Sequence, residues 1–203
     1  MQYRFLGQTG IRISQLGYGT MGFGDSCNLE MSRTLFNRCR DAGINHFDCA
    51  DVYAGGRSEA ILGELIEDCR DEIVLATKAY FPTGSDVNAR GGSRFHLVRA
   101  VEASLRRLKT DRIDLFYLHR FDDSTDLAST LRALEDLVRQ GKILHLAASN
   151  FAAWQVARAL GHAERLGFEP ICCIQPMYNL AKRAAEIELL PMAHAESLAV
   201  IPY

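Results

Sequence analysis

Four side chains able to work together on a proton stand at or just after the ends of short apolar runs: Asp48, Tyr53, Lys78 and His119. A tyrosine hydroxyl with its ordinary pKa of about 10 is a poor proton donor near neutrality. A neighbouring ammonium favours the phenolate and lowers that value, and a carboxylate in turn fixes the ammonium. Tyr53 beside Lys78 beside Asp48 makes such a chain, and His119 can hydrogen-bond a substrate oxygen and orient it. Each residue alone has a plainer use. A strand-terminal Asp caps turns, a loop Tyr packs, a Lys is solvated and a single His satisfies a core. Lys78 also permits a second chemistry, because a lysine at a barrel strand end can form a Schiff base as an aldolase nucleophile.

Placing the four together requires a particular architecture. Seven apolar runs read as strands: Gln15–Gly19, Asn45–Asp48, Ile73–Lys78, Ile113–His119, Leu144–Ser149, Ile171–Pro176 and Leu198–Tyr203. Amphipathic stretches near Ser32–Ala42, Ser58–Asp68, Arg94–Leu108, Leu127–Gln140, Ala152–Leu166 and Arg183–Glu196 read as helices. Three of them run into "DAG", "RQG" and "RLG", with the glycine placed to cap a helix C-terminus. The opening "QYRFLGQTGIRIS" turns at Thr9-Gly10 between two alternating segments and reads as a β-hairpin. Alternating strands and helices imply a parallel sheet with right-handed crossovers, either open and doubly wound or closed as a barrel. An open sheet gathers polar strand ends at one switch point, whereas a barrel collects them around one mouth. Nearly every run here ends in a polar group, which predicts a (β/α)₈ TIM barrel with the hairpin covering its bottom. About six β/α units and the start of a seventh strand are present, in one domain over residues 1–203.

The stretch "LGYGTMGFG" contains Gly17-x-Gly19-x-x-Gly22, the string of a dinucleotide-binding fingerprint. That fingerprint works by opening a helix at its third glycine, whose N-terminus holds a pyrophosphate. Here "FGDSCNLEM" intervenes before any helical pattern, so the glycines read as a strand end and a loop.

Composition removes several function classes. A formal net charge of −2 with scattered Lys and Arg gives no footprint for nucleic acid or an anionic membrane. No apolar run reaches the length of a membrane span, and "MQYRFLGQTG" lacks the pattern of a signal peptide, so a cytoplasmic location is expected. Cys27, Cys39, Cys49, Cys69, Cys172 and Cys173 lack CxxC spacing and read as buried thiols, with no metal expected. His46 and Asp48 could point together into a barrel as metal ligands, but no second pair accompanies them.

"FDCADVY" with "ATK", "LFYLHR", "ASNF", "QPMYN" and the start "YRFLGQTGIRISQLGYGTMGFG" closely resembles the aldo-keto reductases. The branch resembled includes bacterial NADPH-dependent reductases and potassium-channel β-subunits, and the resemblance spans the whole chain. It implies NADPH extended across the barrel mouth and reduction of an aldehyde or ketone. Tyr53 would be the general acid, Lys78 and Asp48 would tune it, and His119 would position the carbonyl. Ser149, Asn150 and Gln175 would hold the nicotinamide carboxamide, Tyr203 would stack on the ring, and Gly19, Thr20 and Met21 would approach the nicotinamide ribose. "ASNF" and "QPMYN" have no task in an aldolase. A nicotinamide-binding regulatory subunit of another protein is the alternative the resemblance keeps open.

Two small residues depart from the family pattern, Cys49 where Thr is common and Ala147 where Gly is common. The larger departure is that family members continue past Tyr203 with parts that contact the cofactor phosphates, so NADPH is implied by the resemblance alone. Seven strands leave two parallel edges unpaired. A further segment, covalent or a complementing C-terminal fragment, is therefore expected to complete a working reductase.

Overall fold

The computed structural model describes residues 1–203. An antiparallel hairpin comes first, β1 (Tyr3–Phe5) on β2 (Arg12–Ser14). Seven parallel strands follow: β3 (Tyr18–Gly19), β4 (His46–Asp48), β5 (Val74–Ala79), β6 (Ile113–Leu118), β7 (Ile143–Ser149), β8 (Ile171–Gln175) and β9 (Ala199–Val200). They pair strictly in chain order, β3 and β9 forming the edges. The helices between them are α1 (Leu29–Asp41), α2 (Arg57–Leu65), α3 (Arg94–Leu108), α4 (Leu127–Arg139), α5 (Ala153–Leu166) and α6 (Leu189–Ala195). The sheet curls into an incomplete TIM-barrel-like α/β fold. Its curl brings β8 within reach of β4, since the Gln175 side chain hydrogen-bonds that of Asp48.

Alternation along the strands sets the two faces of the sheet. Val74, Ala76, Leu115, Tyr117, Ala147 and Cys173 share the inner cluster. Tyr117 pairs in register with Lys78 on one side and Ala147 on the other, and Ala147 pairs with Cys173. The large Tyr117 ring thus has the small Ala147 and Cys173 on its β7–β8 side, which leaves it room inside the curled sheet. Phe116, Leu118, Leu146, Ala148 and Ile174 face outward under the helices. Leu6 and Ile13 of the hairpin region join the inner cluster near Val74, which opens β5, so the hairpin covers the bottom.

Local chemistry places the helix boundaries. Asn28, Ser93 and Asp126 accept from backbone N–H groups three residues on, and the Gln155 side chain accepts from the Ala152 N–H. Asn28 moves the start of α1 to Leu29, ahead of the expected Ser32. Gly43, Gly141 and Gly167 adopt positive φ after α1, α4 and α5, as their positions predict. The expected helix over Arg183–Glu196 is instead a 3₁₀ turn at Ala184–Glu186 followed by α6. Pro191 explains the break: it is tolerated in a first turn but could not donate to a carbonyl four residues earlier. α2 and α3 meet at Gly63, where a Cβ would lie 2.5 Å from the Arg107 carbonyl oxygen.

The glycine stretch behaves as a strand end. Gly19 closes β3 and no helix begins before Leu29. Gly17 is required by packing, since a Cβ there would lie 2.7 Å from Cδ2 of the His46 ring. His46 turns Nδ1 to the Val74 carbonyl and Asp48 is engaged elsewhere, so the two are not assembled as metal ligands. All six cysteines are free thiols; Cys49 and Cys173 are buried, while Cys27, Cys39, Cys69 and Cys172 are half-buried.

Candidate active site

The strand ends converge on a cavity of about 870 Å³ at the C-terminal edge of the sheet. Asp48 ends β4, and the loop after it turns at once, with the Tyr53 N–H donating to the Ala50 carbonyl. Ala54, Gly55 and Gly56 then take positive φ before α2 begins. Ala54 tolerates this left-handed conformation poorly, so the surrounding structure must hold the turn that presents Tyr53.

Beneath the loop lies Lys78, the fifth residue of β5, with 0% exposure. Its ammonium donates to Asp48 Oδ2 at 2.5 Å, to the Cys49 carbonyl at 2.7 Å and to the Tyr53 hydroxyl at 3.4 Å. Burial disfavours the charge, but Asp48 and Tyr53 outweigh it, and the Lys78 pKa stands above the ordinary lysine value. An ammonium so held is a poor amine nucleophile, which argues against the aldolase chemistry.

Tyr53 differs from the simple expectation of a lowered phenol. Burial raises its pKa, Lys78 pulls it down and Asp48 raises it again, leaving it above the ordinary value. The hydroxyl therefore keeps its proton at neutral pH while a cation waits behind it. His119 packs edge-on against Tyr53 at 6.1 Å and against Phe81 at 4.9 Å between ring centres. Burial, then Lys78, push the His119 pKa down to about 4, with Asp48 opposing, so the imidazole is neutral.

The far wall comes from β7 and β8. The Ser149 hydroxyl donates to the Gln175 carbonyl at 3.0 Å. Asn150 has φ of 57° and donates to the His119 carbonyl at 3.1 Å, tying the end of β7 to that of β6. Tyr203 is half-exposed, and its hydroxyl donates to Asn150 Oδ1 at 2.7 Å. Gly19, Met21, Asp48, Tyr53, His119, Ser149, Asn150, Gln175 and Tyr203 all border the cavity.

Two expected site residues stand behind the wall. Lys78 is fully buried and touches Asp48 and Tyr53 from behind, and Thr20 is fully buried with its hydroxyl on the Asp48 carbonyl and 3.0 Å from Ser58 Oγ. Ser58 also donates to the Thr20 carbonyl and lies 3.1 Å from Cys49 Sγ. Cys49, the departure from Thr, thus keeps a polar partner. Val52, Phe81 and Arg120 line the cavity without having been singled out from the sequence. Arg120 directly follows His119 in "LFYLHR", the one signal that could have marked it.

A sequence model described as the aldo/keto reductase family matches residues 15–203. The chain is 39% identical over 197 residues to a "Probable voltage-gated potassium channel subunit beta" of Oryza sativa subsp. japonica, covering 95% of this chain and 60% of that protein. It is 37% identical over 215 residues to "Uncharacterized oxidoreductase YrpG" of Bacillus subtilis (strain 168), covering 100% and 66%. A third relative, "Norsolorinic acid reductase stcV" of Emericella nidulans, is 38% identical over 209 residues, covering 96% and 54%. The chain spans between 54% and 66% of the length of these three relatives.

Proposed function

The chain belongs to the aldo/keto reductase family, and we propose that it carries the site of a cytoplasmic reductase acting on an aldehyde or ketone with NADPH, Tyr53 being the general acid. The observation that supports this reading most is the Tyr53 hydroxyl on the cavity wall with the Lys78 ammonium 3.4 Å behind it. When bound, a reduced nicotinamide supplies the hydride.

The residues present fit such a cofactor. Gly19 borders the cavity, and a Cβ there would meet nothing within 4 Å, so backbone is bared toward the open space. Ser149, Asn150 and Gln175 offer amide and hydroxyl groups to a carboxamide, and the half-exposed Tyr203 ring offers a stacking face. Met21 extends the wall beside Gly19. Buried Thr20 contributes by fixing the Asp48 carbonyl through its N–H at 2.8 Å.

The remaining steps belong to side chains of this chain. His119, neutral and clamped between Tyr53 and Phe81, orients the carbonyl oxygen by hydrogen bonding. Tyr53 gives its proton to that oxygen as charge develops there. Lys78 stabilises the phenolate left behind, and Asp48 holds Lys78, itself steadied by Gln175 donating to Oδ1 at 3.2 Å. Stabilising developing charge with groups already in place avoids reorganisation during the step.

The test is NADPH oxidation with 4-nitrobenzaldehyde by the protein and by its Tyr53→Phe variant. Turnover is expected to fall roughly 10²–10⁴-fold, the usual worth of general acid catalysis, while nicotinamide binding is nearly unchanged. Activity within a few-fold of the parent removes Tyr53 from this role. The likeness to potassium-channel β-subunits favours a second reading, a nicotinamide-binding regulatory subunit. Cofactor binding without enzyme-like turnover by the parent protein would select it.

A further inference from the structure

The first turn of α2 carries an ion pair that the proposed chemistry does not use. Glu59 is 0% exposed, and its two carboxylate oxygens are divided between partners on either side. Oε1 accepts from the Thr77 hydroxyl at 2.6 Å, and Oε2 accepts from Nε and Nη2 of Arg107 at 2.7 and 2.6 Å. Arg107, near the end of α3, also donates to the Ser104 hydroxyl at 3.3 Å. Thr77 is fully buried and precedes Lys78 on β5. Alternation along the strand sends Thr77 outward beneath the helices, while Lys78 turns inward over the Tyr117 ring.

An ion pair is an unexpected filling for this layer. Leu75 and Ala79, on the same side of β5 as Thr77, join apolar clusters. Taking two charges out of water can cost more than their attraction returns, and apolar side chains of like volume often serve stability equally well. Packing alone therefore gives no reason for a carboxylate between Thr77 and Arg107. Its connections give one. Tyr53 heads the turn in which Ala54, Gly55 and Gly56 take positive φ, and Arg107 closes on that turn. A Cβ on Gly56 would lie 3.0 Å from Arg107 Cδ and 3.1 Å from its Nε. Glu59 thus joins the turn that presents Tyr53 to the strand residue beside Lys78. Ser58, its neighbour in α2, makes the corresponding link to the ends of β3 and β4 through Thr20 and Cys49. The contact at stake is sensitive to such placement. At 3.4 Å, the Tyr53 hydroxyl is the most distant of the three acceptors of the Lys78 ammonium and lies near the limit of hydrogen-bond reach.

We propose that Glu59 is a positioning residue that, through Thr77 and Arg107, fixes the Tyr53 turn relative to β5 and so keeps the Tyr53 hydroxyl within reach of the Lys78 ammonium. The proposal rests on the reading of Tyr53 as the acid with Lys78 behind it. Glu59 acts here by placement, since it lies with Thr77 on the outer side of β5.

The test uses two substitutions that preserve shape. Glu59→Gln removes the charge, and Thr77→Val removes the hydroxyl that Glu59 accepts from. Tyr53 is titrated in protein labelled with ¹³C at the tyrosine Cζ, its resonance being the one missing from Tyr53→Phe. The titratable groups facing Tyr53 are Lys78, Asp48, Cys49 and the neutral His119, and Lys78 is the one that favours the phenolate. When the ammonium recedes, the Tyr53 midpoint rises. Both substitutions are therefore expected to raise it, and Thr77→Ser, which keeps the hydroxyl, is expected to leave it at the parent value. With 4-nitrobenzaldehyde, kcat is expected to fall about tenfold with KM unchanged, a partial form of the roughly 100-fold loss that misplacement by about 1 Å can cause. Leu137→Ala, a truncation of a buried residue on α4, controls for lost stability alone. It is expected to lower Tm and to leave the midpoint and kcat in place. The titration needs neither substrate nor cofactor, so a chain that reduces no carbonyl still answers the question. A Tyr53 midpoint unmoved by Glu59→Gln and Thr77→Val, moved equally by Leu137→Ala, or not recovered in Thr77→Ser overturns the proposal. Where Glu59→Gln does not fold, Thr77→Val, which leaves Glu59 paired with Arg107, decides the matter.

Discussion

Lys78 holds its ammonium 3.4 Å from the Tyr53 hydroxyl, and a buried strand residue thereby controls a loop residue 25 positions earlier. Burial alone would make Tyr53 a reluctant acid, and Lys78 is the largest opposing influence. In Lys78→Met that influence disappears, so the phenol pKa climbs further. With Tyr53 as the proposed general acid, reduction would need the protonated phenol and fail as pH rises through its pKa. The alkaline fall of the rate profile is therefore expected to move to higher pH in the variant. The plateau should drop roughly 10–100-fold, since a hydrogen bond to a charged group is worth about 1.5–3 kcal/mol. A profile unchanged in position and height would show that Lys78 does not tune Tyr53.

His119 yields a prediction from its depressed pKa of about 4. An ordinary histidine titrates near 6.5, within the range where most enzymes are assayed. Here the imidazole is already neutral, so the reduction rate should show no inflection between about pH 5.5 and 7.5 from this group. Chemical shifts of the His119 ring followed by NMR across the same range should be flat. A midpoint near 6.5 in either measurement would contradict the assignment.

How much of this was legible in the sequence follows from the range of each interaction. Strand ends, helix stops at Gly43, Gly141 and Gly167, and the grouping of Asp48, Tyr53, Lys78 and His119 depend on local periodicity and turn chemistry, which a sequence displays. The start of α1 at Leu29 was missed because the weight lay on the apolar pattern, although Asn28 signals the cap. Phe81 and Val52 could not be singled out, because a loop residue becomes part of a wall only through the path of the loop. The net direction of the Tyr53 pKa was hidden for a similar reason. Burial depends on the whole fold, and it outweighed the one pairwise effect that spacing could suggest. The Thr20 hydroxyl turns inward to Asp48 and Ser58 across long separations, contacts that no local pattern displays.

The close approach of α2 to α3 makes Gly63 a sensitive position. A methyl group would sit 2.5 Å from the Arg107 carbonyl oxygen and 2.7 Å from the Leu108 carbonyl carbon, both backbone atoms that cannot turn aside. The helices must separate, and overpacking of this kind costs about 1–3 kcal/mol. Gly63→Ala should lower the melting temperature by roughly 2–4 °C per kcal/mol for a chain of this size. An unchanged melting curve would mean the helices can part freely.

At the base of the sheet, Arg70 grips Asp114 with two nitrogens at 2.8 and 3.0 Å, and Asp114 also accepts from the Leu75 N–H at 2.7 Å. Both side chains are nearly buried. Asp114→Ala leaves the Leu75 N–H without a partner and the guanidinium without its carboxylate, its other contacts being the neutral Thr110 hydroxyl and the Ile73 and Arg112 carbonyls, so the loss should approach the roughly 3–5 kcal/mol seen when one member of a buried pair is removed. Chemical denaturation would measure it. A loss below about 1 kcal/mol, the range of surface ion pairs, would show the pair to be effectively solvated.

Asp51 gives the last prediction, in which the sign matters. Burial raises its pKa to about 8; Glu59 adds to the rise, while Arg107, Lys78 and the nearby Val52 amide oppose it. In the unfolded chain the same carboxyl titrates near 4. Between those values the folded protein binds a proton that the unfolded chain has released, so this group's contribution to stability is full below about pH 4 and is lost as pH rises through about 8. The Asp51→Asn variant cannot ionise and escapes that loss. Variant and parent should therefore melt closest together near pH 5, and the variant should melt progressively higher as pH is raised toward 9. Scanning calorimetry at several pH values measures the difference directly. A difference that stays constant with pH, or that favours the parent increasingly at high pH, would show that Asp51 is ionised in the folded protein at neutrality.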